Sequence, residues 1–448
     1  MGIGLDDDLL RDIFGTEEQR AIFDARARLQ GWLDTERALA EAQAELGLIP
    51  AAAAERIAAA CDARAYDMAA LREEINATQH PIVPVVHALE RAVGEETARH
   101  VHFGATTQDI MDTGHVLQLR ASLDALERDL DAAVAAAARL ARDHRDTVEA
   151  GRTHGQQAVP VTFGLKAATW LDELRRVGER IREARPRILV AQIFGAAGTL
   201  AGYGDQALEV KARMAARLGL GDPEAPWHAT RDRVGELGAL MGLLAGAAER
   251  IAGEVIRLQA TELGELAEPR QPGHIGSSTM PQKRNPHLCE AIVSKTRLIS
   301  GLAATLLRNG AHQHERDMGA WGAEWLAVPE IMVLAGGAAA DTRKLLEGLD
   351  VRADRMRENL DITGGQIVAE ALMMALDPAI GKDRAHHLLI ELTRAADAQG
   401  RPFSELAAED PRVTQHLSAE QVAAALDPAR YTGAAPALVD ATLARHGG

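Results

Sequence analysis

Residues 116–142, "VLQLRASLDALERDLDAAVAAAARLAR", place Val116, Leu119, Leu123, Leu126, Leu130 and Val134 at steps of three and four. That spacing stacks them on one stripe of an α-helix. No proline follows before Pro160, so the predicted helix can run past ~30 residues without an interior break. Three more long helices are predicted, over 163–190, over 231–266 and from 287 to 311. In the second of these, Leu237, Leu240, Leu244, Ala248, Ile251, Val255 and Leu258 share one side. At about 1.5 Å per residue such helices outrun a small domain and need partners along their length. A helical bundle is expected, and with it an oligomer.

Composition leads the same way. Of 448 residues, 47% are hydrophobic and 25% charged, an ordinary mixture for a globular chain with a large core. Aromatics are only 3%, whereas alanine, the best helix former, is abundant. β-Branched runs of period two are scarce. The predicted fold class is all-α, in three helical domains: an N-terminal domain over 1–110, a central long-helix bundle over 111–362, and a C-terminal domain over 363–448.

The net charge of −16 argues against a nucleic-acid or anionic-membrane partner. Any anionic ligand must then be drawn by a local cluster of positive groups. No apolar run approaches ~18 residues free of charge, so no membrane span is expected. The start, "MGIGLDDDLLRDIFG", lacks a basic stretch followed by an apolar one and does not read as a signal peptide. Two cysteines, Cys61 and Cys289, lie far apart; they suggest neither a disulfide framework nor a thiolate metal site, and fit the cytoplasm.

Polar islands divide the helices. In "HFGATTQD" (102–109), helix capping explains one or two residues, but not His102, Gly104, Thr106, Thr107 and Gln108 together. Hydroxyls at a helix N-terminus also suit a carboxylate. In "GRTHGQQAVP" (151–160), read as a loop, His154 stands among Gln156, Gln157 and Thr162, with a side chain suited to proton transfer near neutrality. His80 in "TQHP" reads as a turn histidine. The His-x-His of "AHQHERD" has no further nearby ligand, so no metal is predicted; His314, Glu315 and Arg316 are expected to form a polar network.

The longest island, "GHIGSSTMPQKRNPHLCE" (273–290), reads as neither helix nor strand. Gly273 and Gly276 allow hinge motion, and Pro281 and Pro286 keep the segment from dissolving into helix. Ser277 and Ser278 offer hydroxyls, while Lys283 and Asn285 can grip a carboxylate. This mix suggests a catalytic loop over 273–287 that closes on its ligand.

"GSSTMPQKRNP" (276–286) resembles the signature of the fumarase/aspartase superfamily, and "HFGATTQD" and "GRTHGQQAVPVTFG" resemble its other two regions in order. The likeness covers nearly the whole chain. It is strongest to the branch holding adenylosuccinate lyase and 3-carboxy-cis,cis-muconate cycloisomerase, the latter through "ARLQGWLDTERALAEAQAELGLIP", "QHERDMGAWGAEW" and "GKDRAHHLL". The resemblance implies a homotetramer around a 20-helix core, with each site assembled from three subunits, no cofactor, and a small dicarboxylate-type substrate. It implies Ser277 as the base at carbon and His154 as the acid for a leaving group. Lys283 and Asn285 would hold a carboxylate, helped by Thr106, Thr107, Gln156 and Arg316. His80, His102, Ser278 and Met280 would complete the site.

Bacterial cycloisomerases of this branch commonly carry an apolar residue at the position of His154, and often lack a counterpart of His80. Adenylosuccinate lyases grip a phosphate where this chain has Trp321 and Trp325, so two indoles are expected to line that end. The leading expectation is therefore β-elimination of an amine or another heteroatom group from a substituted succinate, giving fumarate. The alternative is a lactonising cycloisomerase. Intact Ser277, His154 and Lys283 argue against a non-catalytic scaffold.

Overall fold

A computed structural model describes residues 9–270 and 279–446. Among them are twenty α-helices and two two-stranded sheets, so the protein is all-α as predicted. Five helices are long: Thr107–Asp143, Phe163–Ile188, Asp232–Gln259, His287–Arg308 and Met318–Glu347. Four coincide with the periodic stretches. The fifth escaped the sequence reading because it is apolar all round and has no polar face to reveal its period. It is long and apolar enough to cross a membrane, but 72% of its most apolar window is buried within the protein. That is the behaviour of a core helix.

The chain forms two compact units: Met1–Leu130 with Arg176–Glu249 and Ala291–Asp341, and Asp131–Arg175 with Arg250–Glu290 and Thr342–Gly448. In the first unit the Ala25–Glu45 helix serves two apolar clusters. Leu29, Trp32 and Leu33 pack with Ile57, Leu71, Ile82, Leu89 and Ile110. Ala38, Leu39 and Ala42 pack with Val116, Ile193, Phe194, Val210 and Met214. Each fully buried leucine or isoleucine here stabilises the fold by about 1.5–3 kcal/mol. Along the opening stripe Val116, Leu119, Leu123, Leu126 and Leu130 are buried. Val134 is only half-buried, and Ala133, Ala136 and Ala137 take the inward positions around it.

In the second unit "GRTHGQQAVP" is not the predicted loop. Val148–Thr153 and Gln156–Thr162 pair antiparallel, with Thr153 opposite Gln156. His154 and Gly155 alone form the turn, with φ of 54° and 78°. Two consecutive positive φ values fit the mirror-image turn whose twist matches that of paired strands. Buried charges hold the hairpin's body. Arg152 donates to both oxygens of Glu265 at 2.9 and 2.6 Å, and Lys166 lies 3.2 Å from Glu149 and 2.6 Å from Glu254. The island at 273–290 is also not wholly irregular, since its last residues open the His287–Arg308 helix.

The Ala25–Glu45 and Thr107–Asp143 helices touch backbone to backbone where Gly31 meets Gly114. A Cβ added to Gly31 would sit 2.9 Å from the Gly114 carbonyl oxygen, and one on Gly114 2.9 Å from the Gly31 carbonyl carbon. Alanine at an ordinary helix position gains about 1 kcal/mol over glycine. Here neither backbone can yield, and overpacking costs about 1–3 kcal/mol. Gly31→Ala is therefore expected to lower the urea midpoint despite its better helix propensity, whereas Gly246→Ala, whose added Cβ meets nothing within 4 Å, raises it or leaves it unchanged.

Candidate active site

In the first unit the Thr107–Asp143 helix begins in the island "HFGATTQD". Asp109 is fully buried and accepts hydrogen bonds from the backbone N–H groups of Thr106, Phe194 and Gly195 at 3.1, 3.0 and 2.9 Å. His228 Nε2 lies 3.0 Å from the same carboxylate. The bond from Thr106 is half of a capping box, in which the third helical residue reaches back to the cap. Capping thus belongs to Asp109, and the two threonine hydroxyls are left for other partners.

Thr107 Oγ1 lies 3.3 Å from His80 Nε2. The Val83 N–H donates to His80 Nδ1 at 3.3 Å. A lone pair is therefore required on Nδ1, and the neutral ring carries its proton on Nε2, facing Thr107. Arg316 Nη2 donates to Thr106 Oγ1 at 3.0 Å and to the Ala196 carbonyl at 2.8 Å. Its buried Nε has no hydrogen-bond partner among the described residues. A guanidinium, two hydroxyls and the positive end of a long helix converge here, an arrangement suited to a carboxylate.

His102 belongs to the same island but turns to Glu36, its Nδ1 lying 2.5 Å from the carboxylate. Burial works against a charge on the ring, but Glu36 outweighs it and raises the pKa above the ordinary value. His314 is exposed. The side chain of His312 is fully buried, 3.8 Å from Glu324, with neither ring nitrogen hydrogen-bonded. The two histidines of the His-x-His pair thus face different surroundings, and the network expected around His314, Glu315 and Arg316 reduces to the contacts of Arg316 with Thr106 and Ala196. Among the described residues no group of three His, Cys, Asp or Glu side chains is placed to hold a metal.

In the second unit His154 and Gln156 are exposed at the hairpin tip. Gln157 points its amide inward, to the Asn359 carbonyl at 2.8 Å. Met280 and Lys283 are exposed and joined by a turn in which the Lys283 N–H donates to the Met280 carbonyl at 3.0 Å. Arg284 anchors this segment, donating to the Glu268 carbonyl at 2.6 Å while its own carbonyl accepts from Gln259 at 3.1 Å. Asn285 is half-buried beside it. Ser277 and Ser278 lie outside the described residues. Cys289 is buried and its thiol is pushed up, chiefly by burial.

Sequence reasoning missed a buried charge cluster one helical turn beyond Asp109. Arg231 donates to Asp112 at 2.7 and 3.2 Å and pairs with Glu324. Trp321 is also corrected: it lines no ligand space but is 2% exposed in the core, with its indole N–H donated to Asp112 at 2.9 Å. Trp325 lines a cavity. The only sequence signal for this cluster is the acid-rich spacing Asp109–Asp112, which capping alone also explains.

A family profile described as "Lyase" matches residues 14–301, and one described as "Adenylosuccinate lyase C-terminus" matches residues 365–442. The chain is 46% identical over 436 residues to a 3-carboxy-cis,cis-muconate cycloisomerase from Pseudomonas aeruginosa, covering 97% of this chain and 95% of the other. It is 40% identical over 432 residues to an N-acetyl-S-(2-succino)cysteine lyase from Dickeya dadantii, covering 96% and 95%. The solved structure of a 3-carboxy-cis,cis-muconate lactonizing enzyme from Pseudomonas putida matches with a TM-score of 0.94 at 41% identity, covering 98% of this chain and 99% of that one.

The His102–Glu36 pair gives a pH test. A histidine whose folded pKa is raised contributes fully below its unfolded value of about 6.5, and loses that contribution as pH rises through the folded value. Wild type is expected to exceed Glu36→Gln in stability by about 1–3 kcal/mol at pH 6. The gap should shrink steadily towards pH 9, as read by urea unfolding at each pH.

Proposed function

Because the chain belongs to the fumarase/aspartase superfamily of lyases, whose members act on small dicarboxylates and are typically oligomeric, we propose that it is a 3-carboxy-cis,cis-muconate cycloisomerase, working as a cytoplasmic homotetramer. Its three helical domains, 1–110, 111–362 and 363–448, would place residues of three chains in each site. The exposure of His154 and Gln156 at a hairpin tip suits such a composite site. The observation that carries the reading is the 46% identity, sustained over 436 residues, to an enzyme of that name.

In the lactonising direction one substrate carboxylate adds through oxygen to a double-bond carbon β to another carboxylate. The C–O bond forms, and the π pair moves to the neighbouring carbon as an aci-carboxylate dianion. One proton, delivered to that carbon and replaced from solvent, completes the lactone. Ser277 is the proton carrier in this scheme. Thr106, Thr107, Arg316 and the helix N-terminus hold one carboxylate, and Lys283 and Asn285 the one on which charge develops. Fixed donors at that position are worth about 2.7–4 kcal/mol each in the transition state. In this scheme Ser278, Met280, Gln156, His80 and His102, contributed by different chains, would complete the site.

A second reading is favoured by His154. Lactonisation expels no group and leaves an acid without a task, whereas elimination from a substituted succinate to fumarate requires one. Both substrates named by the relatives, 3-carboxy-cis,cis-muconate and N-acetyl-S-(2-succino)cysteine, carry three carboxylates, so the charge pattern of the site does not separate the readings.

The test follows two absorbances. With 3-carboxy-cis,cis-muconate, loss of the conjugated diene band is expected. With N-acetyl-S-(2-succino)cysteine, nitrosuccinate, argininosuccinate or adenylosuccinate, no fumarate should appear. Fumarate from any of these, with no change in the diene, would transfer the assignment to elimination. His154→Gln should leave a lactonising enzyme within about threefold of wild type, because only a true general acid contributes ~10²–10⁴-fold.

A further inference from the structure

Behind the threonine corner lies a cavity of about 280 Å³ within the first unit. Met111 and His115 follow Thr107 at intervals of four on one helix stripe, about 6 and 12 Å along the axis. Pro81, next to His80, with Ile75, Trp32, Trp325, Asp112 and Gln118 complete the walls, and Arg28 lines both this cavity and a wider one of about 580 Å³. The chamber therefore begins one helical turn from the groups that bind the first carboxylate.

Among its polar groups, the Arg28 guanidinium, Trp325 Nε1 and His115 Nε2 have no hydrogen-bond partner among the described residues. Arg28 is half-buried and, among the described residues, makes no ion pair and no side-chain hydrogen bond. Four acids line the two cavities, Asp112, Asp24, Glu17 and Glu330, and none of them is paired with Arg28. Asp112 is taken by Arg231 and Trp321, and Asp24 caps its own helix through the Ala27 N–H at 2.7 Å. Trp325 Nε1 and His115 Nε2 are both buried without a hydrogen-bond partner. Burial and then Arg28 push the His115 pKa down to about 4, so the ring is neutral and can donate without adding charge. A half-buried cation with no counter-ion among the described residues, beside two ring nitrogens without a partner there, is costly. It is consistent with a place kept for an anion.

We propose that Arg28, with the indole N–H of Trp325 and the imidazole of His115, holds a third substrate carboxylate, remote from the carbon where the bond is made or broken. Trp32 and Met111 cover the hydrocarbon between the two ends. The inference rests on the superfamily reading of the Thr106–Thr107–Arg316 corner, and it assigns a specificity residue that this reading leaves without a role. A dicarboxylate fills the corner alone, whereas a tricarboxylate fills both ends.

Calorimetry on the intact wild-type enzyme with butane-1,2,4-tricarboxylate and with succinate tests it. The tricarboxylate is expected to bind at least tenfold more tightly. Arg28→Met should weaken the tricarboxylate twentyfold or more and succinate less than twofold. Its ligand-free melting temperature should equal or exceed that of wild type, because an unpaired cation is removed. Trp325→Phe, which deletes only the donor and some ring area, should cost three- to tenfold on the tricarboxylate alone. Equal binding of the two ligands by wild type, an unchanged tricarboxylate affinity in Arg28→Met, or parallel losses for both ligands would each overturn the subsite. The binding pattern is independent of turnover. Failure on both substrates named by the relatives would sink the activity while leaving the subsite standing, and turnover with an indifferent Arg28 would do the reverse.

Discussion

The first unit depends on one buried carboxylate. Asp109 has no access to water, so its charge must be met inside the protein. Three backbone N–H groups and His228 meet it. Two of those amides, from Phe194 and Gly195, belong to a segment some 85 residues further along the chain. The next residue, Ala196, offers its carbonyl to Arg316, which also donates to Thr106. Thr106 in turn gives its N–H to Asp109. The bonds form a closed circuit, so the Thr106 hydroxyl and the Arg316 guanidinium, which we propose hold a carboxylate, are fixed by the same carboxylate that starts the helix. Binding groups held this way lose little freedom when a substrate arrives.

One turn along, the same helix repeats the device with the opposite aim. Asp112 shares Arg231 with Glu324 and accepts from Trp321 and Gln108. No ligand is needed to satisfy this cluster. Removing one member of such a buried group typically costs about 3–5 kcal/mol, which marks it as architecture. Trp321 and Trp325 lie edge to face with ring centroids 4.9 Å apart. The first spends its N–H on Asp112 and the second retains its own. Two residues that look equivalent in the sequence are divided by a single acceptor.

Much of this was legible in the sequence, for physical reasons. The long helices follow from a period of 3.6 that burial imposes, and Leu237, Leu244, Ile251 and Val255 are buried as that period requires. The Met318–Glu347 helix was not legible, because a helix buried on every side has no contrast between faces. The hairpin was hidden for another reason. Its turn is His154–Gly155 rather than Asn-Gly, and the strands carry arginine and glutamine where alternation would have shown. The islands stood out as clusters of chemistry, but their pairings did not. Thr107 meets His80 across 27 residues and Thr106 meets Arg316 across 210, separations that no local pattern encodes.

Backbone strain marks the same places. Five described residues other than glycine have positive φ: Gln79, His102, His154, Leu200 and His314. All five lie outside the regular bodies of the helices and strands, and three are histidines. Side chains with a Cβ hold that conformation at about 1–3 kcal/mol each, and only where surrounding structure over-determines it. At Gln79 it ends the Met68–Thr78 helix as a left-handed cap. At His154 it turns the chain within two residues and exposes an imidazole at the end of a rigid hairpin. At His102 it accompanies a turn of the ring towards Glu36. The long helices supply the surplus of buried apolar surface that lets such strain persist. A bundle that contributes little chemistry along its length can therefore hold reactive groups at its interruptions, in conformations that short, loosely packed elements could not maintain.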